Sequence, residues 1–382
     1  MAAFTLTSKT GVSLVDVGVG AAMLLCAGLW LSSASSAPSM AALSSGGVAA
    51  ALALGGWAAR TKAKQAPAEE MLGPYALGPM IGQGGMGEVY RARHAMMDRD
   101  VAIKILPADH ADETARARFE REAQLTSRLE SPNTVAVHDY GRTADDRPYY
   151  VMELVDGYDL DALVRTFGPQ PAGRVVHLLD QICGSLEEAH SAGLVHRDIK
   201  PANIALCERA GVKDVVKVLD FGLAVELGKP NADEPHALVG TPAYLAPEAI
   251  LHPESVDARI DLYALGAVAY WLLTGSQVFE GDDLVELCSH HIHTQPERPS
   301  ARLGRPLPSD LEAIVMRCLA KDPAQRYASA RDLRDALSAC DCADDWAAGV
   351  AETWWSAQAA PSLDDTSCSS DAFAPTMWLH AA

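Results

Sequence analysis

The chain of 382 residues is long enough for one two-lobed domain with appendages, and it carries 31 Lys and Arg against 50 Asp and Glu, a formal net charge of −19. No basic stripe runs through it, which argues against nucleic acid as a partner and leaves the acidity to serve solubility and a preference for basic segments. Eight Cys are scattered, and only Cys340 and Cys342 stand close, without the second pair a zinc site needs, so a reducing compartment fits.

The first element is a long apolar run. Between Asp16 and Arg60 lie 43 positions without a charged residue, against about 20 needed for one membrane span. The run predicts a membrane anchor over 1–60, with two transmembrane helices at about 12–32 and 40–59 joined by a small polar break around Pro38. Trp30 and Trp57 lie near segment ends, and Arg60, Lys62 and Lys64 follow at once. Positive residues there favour the cytoplasmic side, which implies the inner (cytoplasmic) membrane with the remainder of the chain in the cytoplasm. Two other readings stay open. The first segment could be a cleaved signal peptide ending near Ser33–Ala37, or the stretch could be a leader with no span. Residues 61–71 read as a short linker.

A glycine-rich element comes next. Ile81-Gly82-Gln83-Gly84-Gly85-Met86-Gly87-Glu88-Val89 carries the pattern G-x-G-x-x-G-x-V. Dinucleotide-binding folds use such glycines to open a helix. Here the alternating run Val89–Arg93 follows, so the pattern predicts a hairpin. Glycine also lets backbone amides approach a phosphate with no Cβ in the way. Val101-Ala102-Ile103-Lys104 then places a Lys inside an apolar strand, which is costly unless the charge is paired. Phe119, Ala123, Leu125 and Leu129 fall on one face and predict a helix over Asp112–Glu130. Tyr149–Leu154 reads as a buried strand.

The most informative residues are His196-Arg197-Asp198-Ile199-Lys200-Pro201-Ala202-Asn203, followed seventeen positions after Asn203 by Asp220-Phe221-Gly222. One Asp stands where a base must meet a hydroxyl. An Asn and a second Asp stand at a spacing suited to holding magnesium on a nucleoside triphosphate. Together these motifs resemble the catalytic loop and metal-binding turn of eukaryotic-type protein kinases. The wording of both the glycine loop and the catalytic loop is similar to the bacterial, membrane-associated (Hanks-type) serine/threonine kinases, and the resemblance covers about residues 72–338. The implied fold is α+β and two-lobed: a small lobe with a five-stranded antiparallel sheet and one helix, a large and mainly helical lobe, and transmembrane helices ahead of them.

The resemblance implies a role for each residue. Asp198 would orient or accept the proton of a substrate hydroxyl, Lys200 would neutralise the transferring group, and Asn203 and Asp220 would hold Mg2+, with Mn2+ as an alternative. Lys104 would pair with the ATP phosphates and with a helix Glu, for which Glu122 fits better than Glu120. Ile81, Gly82, Gln83, Gly84, Gly85, Met86, Gly87 and Val89 would cover the nucleotide. Ala102, Met152 and Leu206 would line the adenine pocket, and backbone groups of Glu153 and Val155 would bond the adenine edge. Asp159 would meet the ribose, or else cap a helix. Lys200 and Thr241, in Gly240-Thr241-Pro242, mark the serine/threonine form. Glu248, in Ala246-Pro247-Glu248, would pair with Arg326, and Asp261 would brace the catalytic loop. A pseudokinase would usually lose Lys104, Asp198 or Asp220, and none is lost. A small-molecule kinase is disfavoured by Thr241 and the Ala-Pro-Glu segment.

Leu223–Gly240 contains no Ser, Thr or Tyr. It offers Asp233 and Glu234 near where relatives place a phosphate facing the residue that is Arg197 here, and these acids could equally be solvated loop residues. His290, His291 and His293 are followed by no acidic or Cys partner at ligand spacing and read as a helix-end or loop cluster. Residues 339–382 form an acidic tail with no Lys or Arg. Its Trp346, Trp354 and Trp355 suggest a short helix packed on the large lobe or on a partner, with disorder from Pro361 onward. The implied partners are protein substrates and the membrane, with a homodimer left open.

Overall fold

Two stretches of extended backbone joined at the glycine-rich tip begin the fold. The computed structural model describes residues 70–84, 87–108, 112–221, 225–226 and 240–358. The anchor at 12–32 and 40–59, the linker up to residue 69, the tip residues Gly85 and Met86, Gly222, the acids Asp233 and Glu234, and the tail beyond Gln358 lie outside them. Among the described residues no helix is long and apolar enough to cross a membrane.

The small lobe is one antiparallel sheet. Its strands are β1 (Met71–Leu72), β2 (Tyr75–Gly84), β3 (Gly87–His94), β4 (Arg99–Ile105), β5 (Val137–Arg142) and β6 (Pro148–Glu153), in the order β1-β2-β3-β4-β6-β5. The sequence reading predicts five strands. The sixth is β1, two residues that extend the edge of β2 through Leu72 opposite Tyr75, and two residues carry too little pattern to be read. The hairpin expected of the glycine loop is present, with Gly84 opposite Gly87.

Helix α1 (Glu113–Thr126) starts where Asp112 Oδ1 accepts from Ala115 N at 2.7 Å, an N-cap. It ends four residues before the predicted Glu130. The chain tightens there, with Leu129 N donating to Thr126 O, and Pro132 follows soon after. Phe119 and Ala123 bury against Leu106 and Tyr150, which fixes the roll of α1 against the sheet.

The connection after β6 leads to β7 (Gly157–Asp159), α2 (Leu160–Phe167) and α3 (Ala172–Ser191). Then come β8 (Leu194–Val195), β9 (Ile204–Arg209), β10 (Val212–Val218) and β11 (Val225–Glu226). A three-stranded sheet runs β10-β9-β7, and β8 pairs with β11. The remaining helices are α4 (Pro247–Leu251), α5 (Arg259–Thr274), α6 (Leu284–His293), α7 (Pro299–Leu303), α8 (Ser309–Cys318), α9 (Ala330–Ser338) and α10 (Ala348–Ala357). Helix α5 is apolar on nearly all sides and buried on nearly all sides, as a central core helix must be. It shares one core with α3, α8 and α9. The fold is thus a curled antiparallel sheet with one helix above a helical lobe. Trp354 and Trp355 lie on a short helix, as the sequence suggests, with Trp346 just ahead of it, and the helix packs on this lobe.

Candidate active site

Lys104 points from β4 into the space between the lobes. Its Nζ donates to Glu122 Oε1 on α1 at 2.8 Å and to Asp220 Oδ1, just after β10, at 2.9 Å. Three elements distant in sequence therefore meet at one ammonium. Tyr150 OH donates to the same Glu122 oxygen at 2.7 Å. Glu120 turns outward, where its Oε1 accepts from Tyr140 OH and Arg142 Nη2, both at 2.8 Å. Burial alone would lower the Lys104 pKa, but the carboxylates of Asp220 and Glu122 outweigh it and hold it well above the ordinary value. Burial raises Glu122 despite the opposing Lys104. Burial also pushes Asp220 upward, yet Lys104 and the more distant Lys200 and His196 overcome this and leave it lowered.

A second cluster sits below. Asp198 Oδ1 accepts from Thr241 Oγ1 at 2.8 Å, and Oδ2 accepts from Asn203 Nδ2 at 3.0 Å. Lys200 Nζ lies 2.9 Å from Asp198 Oδ2 and donates to Thr241 Oγ1 at 2.9 Å. The loop that carries them contains Arg197 at φ 68, in the left-handed region, which costs about 1 kcal/mol or more for a residue with a Cβ. Asp261 offsets this. Its Oδ2 and Oδ1 accept from the backbone amides of His196 and Arg197, each at 2.9 Å, while His190 Nε2 lies 2.8 Å from Oδ2. Burial opposes ionisation of Asp261, but the His190 bond and the amides keep its pKa lowered. Arg326 is fully buried and grips Glu248 with two bonds, Nη1 to Oε1 at 2.6 Å and Nη2 to Oε2 at 2.8 Å.

The connection between lobes forms the back and floor of the cleft. Ala102 is directly opposite Met152, and Val89 opposite Lys104. Glu153 N donates to Ala136 O at 2.9 Å, and its carboxylate pairs with Lys217 at 2.6 Å and Arg209 at 3.2 Å. Leu206, expected at the adenine, lies instead in the core of the large lobe, opposite Tyr158 of β7; Ala205, opposite Asp159, is the residue of β9 that shares the face of Asp159, because successive side chains of a strand alternate. Val155 is in the connection, half-buried. Asp159 caps α2, with Oδ1 accepting from Ala162 N at 2.7 Å, and burial raises its pKa. Ile81, Gly82, Gln83, Gly84, Gly87 and Val89 form the described part of the glycine hairpin. A Cβ at Gly87 would come within 2.9 Å of the Lys104 side chain, so the loop can lie over that lysine only as glycine.

Several residues of the site were not singled out by the sequence. Tyr150 was part of a predicted strand, and a buried Tyr hydroxyl requires a partner, which is the signal that could have revealed it. His196 opens the catalytic-loop motif, whose spacing assigns it no role; its Nε2 lies 3.0 Å from Leu219 O, and its ring sits 4.5 Å from Phe221. His190 carried no signal. The histidines His290, His291 and His293 occupy the end of α6, where His291 Nδ1 lies 2.8 Å from Tyr263 OH.

A protein kinase domain model matches residues 75–337, and the chain belongs to the protein kinase family. Its relatives place it among the bacterial Hanks-type serine/threonine kinases. The serine/threonine-protein kinase PknB of Mycobacterium tuberculosis (strain ATCC 25618 / H37Rv) is 42% identical over 266 residues, covering 68% of this chain and 42% of that protein. The serine/threonine-protein kinase pkn3 of Myxococcus xanthus is 39% identical over 278 residues, covering 70% of this chain and 50% of that protein. PknH of Mycobacterium bovis is 39% identical over 277 residues, covering 72% and 45%. The matched stretch thus spans at most half the length of these relatives.

Membership implies ATP, protein substrates and a divalent metal, typically Mg2+. The donors present fit such an ion. Asn203 spends Nδ2 on Asp198, and Asp220 spends Oδ1 on Lys104, so each retains an oxygen with no hydrogen bond among the described residues. Two oxygen donors completed by phosphates and water suit Mg2+, which rarely uses an all-protein cage. Among the described residues no group of three or more His, Cys, Asp or Glu could hold a metal unaided.

Proposed function

We propose that the chain is an ATP-dependent protein-serine/threonine kinase that phosphorylates protein hydroxyls, its own among them, in bacterial signalling. The observation that carries this reading is the pair of clusters facing one cleft: Lys104 with Glu122 and Asp220, and Asp198 with Lys200, Asn203 and Thr241. Asp198 Oδ1 or Oδ2 orients a substrate Ser or Thr hydroxyl and takes its proton as the oxygen attacks the γ-phosphorus. The new O–P bond forms as the bond to the β–γ bridging oxygen breaks, and ADP leaves. Lys200 stands beside Asp198 and neutralises the transferring group. Thr241 holds both in one geometry. Lys104 binds the α and β phosphates, held in line by Glu122. Asn203 and Asp220 would hold Mg2+, with Mn2+ as a substitute, and the ion would supply charge neutralisation on the phosphate oxygens.

Ile81–Val89 covers the nucleotide, Ala102 and Met152 line the adenine, backbone groups of Glu153 and Val155 bond its edge, and Asp159 meets the ribose. The kinase domain is assigned to 72–338 and the tail to 339–382. Basic segments suit this acidic chain as substrates, and a homodimer is compatible with the reading. The anchor 1–60 tethers the domain to the cytoplasmic face of the inner membrane. Deletion of 1–65 should release an active enzyme into the soluble fraction; full-length protein recovered wholly in that fraction would remove the tether.

The central test is Asp198→Asn, assayed with Mg-ATP and a basic protein. Nucleotide binding and melting should be nearly unchanged, while transfer falls by about a thousandfold, within the range of a lost general base. Transfer at a rate near that of the unsubstituted chain would refute the reading.

A further inference from the structure

The region that matches the family ends at residue 337, but the chain continues through a turn at Ala343–Asp345 into α10. Three tryptophans of this stretch close over one cation. The Arg174 guanidinium carbon lies 3.9 Å from the ring centre of Trp354 and 5.0 Å from those of Trp346 and Trp355. Arg174 Nε and Nη2 donate to the two oxygens of Asp214 at 2.9 and 2.8 Å. The same oxygens accept from the indole Nε1 of Trp346 at 2.8 Å and of Trp355 at 2.7 Å. Asp214 stands at φ 57, within the irregularity of β10, so the tail grips the β9–β10 hairpin where its backbone departs from regular pairing.

From there aromatic contacts run towards the nucleotide cleft. Trp355 stacks on Tyr158 with ring centres 5.7 Å apart and planes at 22°, and Tyr158 meets Phe167 edge-on at 5.5 Å. Phe167 in turn meets Trp354 edge-on at 5.3 Å. Tyr158 is the residue between Gly157 and Asp159 in β7, and it pairs with Leu206. A Cβ at Gly157 would fall 2.1 Å from Leu206 O, so β7 and β9 approach closely at this point. The tail therefore touches Tyr158, which backs the Asp159–Ala205 pair from the opposite face of this sheet.

We propose that the tail tryptophans, acting through Tyr158 and the Arg174–Asp214 pair, are positioning residues for the nucleotide: the tail completes the floor of the ATP cleft by fixing β7 against β9. The inference rests on the kinase reading above. Aromatic rings each bury on the order of 150–250 Å² and hold fixed geometry, and a desolvated cation over their faces adds direction. β7 is an edge strand of three residues, paired on one side only, with β9.

The test uses the full chain and three variants. Trp355→Ala removes the stack on Tyr158, and Trp355→Phe keeps a ring there. Gly173→Ala attacks from the other side: in the first turn of α3, a Cβ would sit 2.7 Å from Asp345 Cβ and 3.0 Å from Cys342 O. Alanine favours the helix itself, so this variant displaces the tail without weakening α3. KM for ATP and kcat are measured at a temperature where circular dichroism shows every variant folded. Trp355→Ala and Gly173→Ala should raise KM for ATP about tenfold with kcat within about twofold, a loss of binding rather than of chemistry. Trp355→Phe should stay within about threefold of the unsubstituted chain, since the ring contact persists. A lowered melting temperature with KM unchanged in both tail-displacing variants would overturn the proposal, and if Trp355→Ala does not fold, Gly173→Ala decides. An unsubstituted chain that binds Mg-ATP without transfer would sink the kinase reading alone, and Mg-ATP titration calorimetry on the same variants would then decide the role of the tail.

Discussion

Two buried cations divide the work of this molecule between them. Arg174 and Asp214 are both 0% exposed, and their charges are met by two parallel bonds, two indole donors and three aromatic faces. Lys104 is nearly as deeply placed, its side chain 4% exposed, but its partner Asp220 is 38% exposed and lies on the other side of the cleft. The first pair is closed on every side, a geometry that can only hold structure. The second is a compact ammonium between two carboxylates with solvent on one side, so a phosphate can enter and share the charge. Arginine suits the first task through its planar fork, and lysine suits the second as a point charge. Burial and pairing alone therefore do not mark a functional charge; what marks it is a side left open.

The sharpest way to break this contrast is Arg174→Met. It leaves Asp214 buried without its cation, and losing one partner of a buried pair costs about 3–5 kcal/mol. Urea unfolding should show the midpoint falling accordingly, and a change no larger than that of a surface substitution would mean that Arg174 is not the closed pair described. Lys104→Met should behave in the opposite way. Its kcat/KM should fall by about a hundredfold to a thousandfold, the range for losing one preorganised electrostatic donor, while the unfolding midpoint moves less than for Arg174→Met because water can reach Asp220 and Glu122, already raised by burial, keeps its Tyr150 donor and can take up a proton. A Lys104→Met enzyme with normal kcat and KM for ATP would show that the open cluster is not the phosphate site. The smallest effect belongs to Glu120→Gln. This exposed acid pairs with Arg142 at 2.8 Å, and such pairs contribute about 0–1 kcal/mol. Rate and melting should barely change, whereas equal losses in Glu120→Gln and Glu122→Gln would erase the distinction between the two faces of α1.

The parts of the site that the sequence exposes are those whose chemistry demands short, fixed spacing. Asp198, Lys200 and Asn203 sit within six consecutive residues, and Lys104 stands at the end of an apolar run of three. Helical phase separates Glu122 from Glu120, since Phe119 and Ala123 bury on the face that meets the sheet. The Arg174–Asp214 pair is 40 residues apart in sequence and lies a further 132 and 141 residues from its indole donors. No local pattern encodes such a meeting. The tail's tryptophans could be read as seeking a surface, but not which surface, since that depends on a cation presented by a distant helix. Tyr150 shows the intermediate case: its strand was legible and its hydroxyl's partner was not.

Asp261 gives the catalytic loop an unusual dependence. Two successive amides, of His196 and Arg197, are bound by one carboxylate on α5, and α5 is the most enclosed helix of the large lobe. Hydrogen exchange at those amides requires this carboxylate to withdraw, and it cannot withdraw while its helix remains in the core. The loop that carries Asp198 is thus expected to exchange its amides with the core of the large lobe, although loops are usually drawn from the least stable part of a protein. A loop tied to a core helix in this way is expected to keep the geometry of Asp198 for as long as the large lobe stays folded.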